Sequence, residues 1–447
     1  MTDLAHHSPV VADRRLVSRL QARVVAGLGQ ARRDAEAAGR RPLVGVDEEA
    51  FASHLITQAL EAHATTSLAR GEPVLSIEEE RATAAAVHAA LYRGGRLQAL
   101  LDDPRPVINI IINGHDKVHL ELVDGTRVEM PPVAESPDEL EDMIRELGRR
   151  YGFSERQFDF AHPEINLHLP GGHRLHAVGW LCREAHITIA RAHVGKLNWH
   201  DLIRMGLVDR GMGELLAAAV QAGLNICIAG GQGVGKTTCI RGLASAIDKS
   251  TRMVTLETDY ELALDAFPDQ HDNVVALEAR PANAEGRGAV TLADLVPMSQ
   301  RMRAERLIVG EVRKDEIVPM LNAMNSGSPG MFSVHASSAD QVPHKLALLG
   351  MQTAEHLSFE ATNRLVGGAT DLILYLGPRP NAKGGRAEAL LEVLGGDDKG
   401  VRTNVIYRPG PDGRAVPDAS ANITTLVRLE AAGFDRTLLN RRKGWWP

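Results

Sequence analysis

Gly230-Gly231-Gln232-Gly233-Val234-Gly235-Lys236-Thr237-Thr238 is the stretch with residue types and spacing able to do chemistry on a phosphate. It fits G-x-x-x-x-G-K-[ST], in which glycines let successive backbone N–H groups turn inward as an anion nest without Cβ clashes. In such a loop Lys236 can reach the β- and γ-phosphates of a nucleotide, and the Thr237 hydroxyl can ligate Mg²⁺. The flanks suit that reading. Leu224 to Ala229 reads as a buried strand entering the loop and Thr237 to Ile247 as a helix leaving it. The phosphates would then sit at a helix N-terminus, where the dipole favours negative charge.

Further chemistry is expected at strand ends downstream. Met253 to Glu257 is an apolar strand delivering an acid, Leu307 to Glu311 is another, and Met331 to Val334 ends at His335. Two acids and a histidine at strand C-termini mark the edge where open α/β sheets bind ligands. A helix from Thr291 to Ala304 has Thr291 as N-cap and Asp294 three residues on. Helices between strands predict a parallel sheet from about Met212.

At 447 residues the chain is long enough for about two to four domains. Its 44% hydrophobic and 24% charged residues are those of a soluble globular protein. A net charge of −7 leaves no global basic field for nucleic acid or an anionic membrane. Cys182, Cys227 and Cys239 form no C-x-x-C pair, against a zinc module or disulfide framework. With no signal-like segment and no run of about 18 apolar residues, the expectation is a cytoplasmic chain without membrane insertion.

Upstream, residues 1–101 read as a helical region. Leu16, Leu20 and Val24 share one face, Ala52, Leu55, Ile56 and Leu60 another, and Glu78-Glu79-Glu80 form a solvated first turn after Ser76. Residues 102–192 read as a small α/β domain, with strands Val107–Ile112, Val118–Val123, Val128–Met130, Ile165–Leu169 and His173–Val178 and a helix Pro137–Tyr151. Its histidines lack ligand spacing, and His6-His7 read as solvated. Residues 193–211 read as a linker, 212–376 as the nucleotide domain, and 377–447 as a C-terminal strand and helix subdomain.

These motifs resemble the type II/type IV secretion ATPase superfamily, in particular the CpaF/TadA-like branch that powers Tad-type pilus assembly. The resemblance is strongest over 195–375 and reaches upstream to Tyr92-Arg93-Gly94-Gly95-Arg96-Leu97. The family's acidic box is matched by Glu257 and Glu261, although Thr258 stands where Asp is expected and Asp259 follows it. Val309-Gly310-Glu311-Val312-Arg313 matches the second acidic strand, with the family's Gly before Glu. His335 matches the second histidine of the histidine box, and Ser328 occupies the first. Arg280, within Leu277 to Gly286, and Arg303, within Arg301-Met302-Arg303, also fall in family-like segments. Leu169-Pro170-Gly171-Gly172-His173-Arg174 resembles a segment whose arginine reaches a nucleotide site, and Arg191 lies near a second such position. The absence of a tetracysteine module points to the Tad or conjugation-type branch.

The resemblance implies a RecA-like P-loop core, an α/β fold with a parallel-sheet centre, behind a small α/β domain and an N-terminal helical region. It implies an ATPase with Mg²⁺ as cofactor. Gly230 to Thr238 would hold the phosphates, Thr237 and Glu257 with Glu261 the metal and its water shell, and Glu311 would polarise the attacking water. His335 would sense the γ-phosphate, and Arg174, Arg280 and Arg303 would neutralise developing charge, some from a neighbouring subunit. The implied partners are other copies in a homohexamer and an integral-membrane platform protein that holds the chain at the inner face of the membrane. Two rivals share the core: a nucleotide-gated scaffold, should Thr258 and Ser328 slow hydrolysis, and a DNA-translocating ring, which the acidic charge disfavours.

Overall fold

A computed structural model describes residues 12–37, 43, 46–92, 97–152, 157–191, 195–282, 286–380, 384–440 and 446. His6-His7, residues 93–96 of the upstream motif and Asn283 to Glu285 lie outside them. The chain divides into two compact units, Met1–Arg191 and Ala192–Pro447.

In the first unit, helices α1 (Arg14–Ala37), α2 (Val46–Arg70) and α3 (Ile77–Tyr92) bury the apolar face expected of them. Leu16, Leu20, Val24, Ala52, Ile56, Leu60 and Val87 form one cluster. Glu79 does more than solvate α3. It takes the Ser76 N–H at 2.7 Å while Ser76 Oγ takes the Glu79 N–H at 3.2 Å, a reciprocal cap.

After the short α4 (Gln98–Leu101) come β1 (Val107–Asn113), β2 (Lys117–Leu122), β3 (Arg127–Met130), α5 (Pro137–Tyr151), β4 (Glu164–Leu169), β5 (His173–Val178) and β6 (His186–Ala190). The strands form one sheet in the order β3-β2-β1-β6-β5-β4, antiparallel at every pairing. Alternation along β4 buries Ile165, Leu167 and Leu169 on one face. Helix α5 starts at the Ser136 cap with Pro137 in its first turn and buries Leu140, Ile144 and Leu147. β6 goes beyond the strands expected from sequence.

The second unit opens with α6 (Trp199–Arg204) and α7 (Arg210–Gln221). Leu202, Leu207 and Val208 lie in its main core. The stretch read as a helix-and-loop linker, Leu197 to Arg210, holds α6 and packs its apolar residues into the core of the second unit.

There follow β7 (Ile226–Gly230), α8 (Lys236–Ala244), β8 (Met253–Glu257), β9 (Val274–Glu278), α9 (Leu292–Arg301), β10 (Arg306–Val312), α10 (Ile317–Asn325), β11 (Gly330–His335), α11 (Val342–Met351), α12 (Phe359–Ala369), β12 (Leu372–Pro378), β13 (Gly385–Asp397), β14 (Gly400–Pro409), β15 (Ala415–Pro417) and α13 (Leu426–Ala431). One nine-stranded sheet runs β15-β14-β13-β12-β7-β11-β10-β8-β9. Its block from β12 to β9 is parallel, and every residue of β7 and β8 is buried, as strands covered on both faces must be.

Residues 377–447 do not form a separate layer. β13 to β15 extend the same sheet antiparallel, and Leu390, Ile406 and Tyr407 enter the same core.

Glu392 on β13 fastens this extension. It is fully buried. Its Oε1 accepts from Thr424 Oγ1, Thr425 N and Thr425 Oγ1 at 2.7–2.8 Å, and its Oε2 from Thr424 N at 3.0 Å and Asn404 Nδ2 at 3.2 Å. Burial pushes its carboxyl up, but these hydrogen bonds outweigh it and hold the group below the usual carboxylate range. We predict that Glu392→Ala, which strands the threonine donors, destabilises the protein by about 3 kcal/mol at neutral pH in denaturant melts. The deficit should narrow as pH falls below the ordinary glutamate value of about 4.3 and on through the lower folded value, where the wild-type carboxylate itself protonates. A loss under 1 kcal/mol at neutral pH would show that the contacts hold nothing together.

Candidate nucleotide site

The loop after β7 is built on backbone that side chains resist. Gly230, Gly233 and Gly235 have φ of +151°, +72° and +91°. A Cβ on Gly230 would stand 2.3 Å from the Leu376 carbonyl oxygen of β12, so glycine is required there by contact as well as by conformation. Gly235 caps α8, and Lys236 is its first residue.

Lys236 is buried, and its three donors find acceptors. Nζ donates to Gly230 O at 3.2 Å and Gly231 O at 2.7 Å, and lies 3.3 Å from His335 Nδ1. His335 Nε2 is 3.1 Å from Glu311 Oε1, and Glu311 Oε2 accepts from Arg313 Nη2 at 2.9 Å. A neutral ring protonated at Nε2 satisfies both of its contacts: it accepts from the lysine and donates to the carboxylate. The electrostatics agree. Burial, then the Lys236 charge, pushes His335 below its ordinary value. Burial also lowers Lys236, opposed by Glu311 and Glu261. Burial would raise Glu311, but Arg313, His335 and Lys236 together hold it below the carboxylate range.

Glu257, expected to hold the metal and its water shell, is buried. Its Oε1 accepts the N–H groups of Glu261 and Leu262, both at 2.9 Å, and burial pushes its carboxyl up to about 7. Its Oε2 is buried with no hydrogen-bond partner. Gly310 explains the Gly-Glu signature: a Cβ there would come within 3.1 Å of Glu257 Cγ. Thr237 Oγ1 donates to Glu261 Oε2 at 3.0 Å. A hydroxyl, a carboxylate and an orphaned buried carboxylate oxygen are oxygen donors of the kind Mg²⁺ takes, so Thr237, Glu261 and Glu257 fit that ion.

The other expected residues scatter. Gln232 is exposed, Val234 buried and Thr238 half-buried in the loop and the turn after it. Arg280 follows β9, the outermost parallel strand, and its Nε donates to Gly288 O at 2.8 Å. Arg303 is exposed with φ of +58° and precedes the N-terminal end of β10, the edge opposite the loop. Neither reaches the phosphate loop of its own chain. Arg174 lies in the first unit, paired on β5 with His168 and Ala190. Arg191 gives its N–H to Ile108 O and its guanidinium to Arg105 O. Ser328 also lies at the opposite edge, ahead of β11, donating to Ala304 O at 3.0 Å. It is therefore no stand-in for a phosphate-facing histidine. Asp259, one place past Thr258, does act on the site, since its charge helps hold the Arg313 guanidinium above its ordinary value after the Glu311 hydrogen bond. Sequence reasoning left Arg313 out of the site, although its place two residues after Glu311 signalled it.

The family described as type II/IV secretion system protein matches residues 174–367. A Mycobacterium tuberculosis protein, provisionally named a conjugal transfer protein, is 29% identical over 334 residues, covering 72% of this chain and 90% of the relative. The type IV secretion system protein PtlH of Bordetella pertussis is 35% identical over 167 residues, 36% of this chain and 48% of that one. Among solved structures, the pilus retraction motor PilT with bound ADP aligns at a TM-score of 0.50 and 13% identity, covering 78% of this chain and 90% of that one. That likeness is one of fold, and it agrees with the parallel-centred α/β architecture expected from sequence.

The raised Glu257 has a measurable consequence. The unfolded chain releases this proton near pH 4.3, whereas the folded chain keeps it to about pH 7. Stability should therefore fall as pH rises between those values, with the loss complete above 7. Glu257→Gln, melted without nucleotide, should match wild type near pH 4 and exceed it at pH 8 by up to about 3 kcal/mol. Equal pH slopes in the two proteins would contradict a buried, protonated Glu257.

Proposed function

From its membership of the type II/type IV secretion ATPase superfamily, we infer that this chain hydrolyses ATP to ADP and phosphate and uses the reaction to drive a membrane-spanning machine. The observation that carries the reading is the unbroken line of contacts from the loop lysine through His335 to Glu311 and Arg313. Phosphoryl transfer to water needs positioning and charge stabilisation more than covalent chemistry. The glycine loop and Lys236 bind the phosphates. Glu311, held ionised, orients the attacking water. Neutral His335 relays the state of the phosphate from Lys236 to Glu311. Thr237, Glu261 and Glu257 would hold Mg²⁺, which would supply charge neutralisation for the phosphates.

We take the working form to be a homohexameric ring. The candidate arginines that do not meet the loop of their own chain, Arg280 and Arg303, are available to a neighbour's, and a head-to-tail contact that closes by rotation gives a ring. The conjugal transfer and type IV secretion names of its relatives, with the Tad-like motifs of the sequence, favour a pilus-assembly or conjugation-type machine. No helix among the described residues is long and apolar enough to cross a membrane, so we place the chain at the inner membrane face through an integral platform protein. The placement of Ser328 away from the loop removes a support for the weakly hydrolysing scaffold, and the net charge of −7 counts against DNA translocation.

Glu311→Gln should bind ATP with wild-type affinity and lose at least about 100-fold in turnover, whereas Lys236→Ala should weaken nucleotide binding at least about tenfold. Full turnover in Glu311→Gln would remove that carboxylate from the reaction. Light scattering with Mg²⁺ and a non-hydrolysable ATP analogue should give the mass of six chains, and monomer alone at high concentration would contradict the ring.

A further inference from the structure

A cavity of about 420 Å³ opens beside the phosphate loop, lined by Gln232, Glu311, Arg313, His335, Lys345 and Leu349 among others. Of the loop it touches only Gln232. Neither Lys236 nor Thr237 lines it, so the cavity begins where the cradle for a nucleotide's phosphate chain ends. Its size leaves room for a tetrahedral anion and several waters, at about 30 Å³ for each water.

Lys345 is the unexplained member. It stands on α11, an element that supplies none of the loop, acidic or histidine residues of the site. It is half-buried, and among the described residues its ammonium makes no hydrogen bond or ion pair. An ammonium left without a partner in the cavity wall has its three donors available to an anion there. Arg313 is a second cation in the wall, and it already serves Glu311 through one nitrogen while its other donors are left over. Glu311 itself, the group that would repel an anion, is paired with the Arg313 guanidinium and engaged through its other oxygen by the His335 ring.

We propose that this cavity is the receiving site for cleaved inorganic phosphate and that Lys345, with Arg313, binds it while ADP stays on the loop. The inference rests on the reading of the chain as an ATPase. On that reading water attacks from the Glu311 side and the bond from the γ-phosphorus to its bridging oxygen breaks, so orthophosphate departs away from the loop. Lys345 and Arg313 come from separate elements, α11 and the segment after β10, so the two cations reach the cavity from different parts of its wall.

The test uses the full-length protein, with ADP and Mg²⁺ titrated in first and orthophosphate second, both followed by calorimetry. Orthophosphate should bind the ADP-loaded wild type, bind Lys345→Gln at least tenfold more weakly, and bind Lys345→Arg within threefold of wild type. ADP affinity should stay within twofold across all three. Equal orthophosphate affinity in wild type and Lys345→Gln overturns the proposal, as does an ADP-loaded wild type that takes up no orthophosphate. A parallel loss of ADP affinity in Lys345→Gln also overturns it, by placing the lysine on the nucleotide. A wild type that does not bind ADP contradicts the ATPase reading itself, and the first titration reports that separately.

Discussion

The Lys236 ammonium must be satisfied where it is buried, and the site is arranged around that requirement. Two of its acceptors are carbonyls of its own loop, and the third is His335. His335 can serve because β11 lies between β7 and β10, with His335 registered against Gly230. Neighbouring strands are about 4.8 Å apart, so groups at three successive strand ends fall within reach of one another. Lysine, neutral imidazole, carboxylate and guanidinium then alternate donor and acceptor along the row. On the proposed reading a phosphate arriving at the loop would compete for the lysine, and the histidine that loses it is already bonded to Glu311. Strand order thus becomes a chemical connection.

Close backbone approach sets the second constraint. Gly230 abuts Leu376, and Gly310 yields space to the Glu257 side chain. At Gly330, where β11 begins, a Cβ would stand 1.6 Å from the Leu307 carbonyl. Any larger residue at these places would push apart the strands whose ends carry the site. Glu257 shows what that closeness does electrostatically. Sealed behind Gly310, it keeps one oxygen for backbone N–H groups and one with no partner, and burial holds on to its proton.

Much of this was legible in the chain. The loop, the strand before it and the helix after it, the Thr291 cap and the strand-end positions of Glu257, Glu311 and His335 all follow local rules of spacing and periodicity. Properties that depend on distant partners were not legible. The short apolar segments at 199–211 look like connections until the sheet they cover is known. β13 to β15 read as a separate subdomain because nothing local says that β13 pairs with β12. Ser328 and Arg303 were judged by alignment to motifs, yet both precede strands, and a residue before a parallel strand lies at the edge away from the ligand. Burial of Glu257 depends on a glycine fifty-three positions later, and no windowed pattern spans that gap.

The central claim is that Lys236, His335, Glu311 and Arg313 act as one device. A double-mutant cycle on single-turnover ATP hydrolysis by His335→Ala, Glu311→Gln and the combined variant tests it most directly. If the histidine works through the acid, the combined variant is no slower than Glu311→Gln alone. Losses that multiply, each variant slowing the reaction by the same factor with or without the other, would contradict the account.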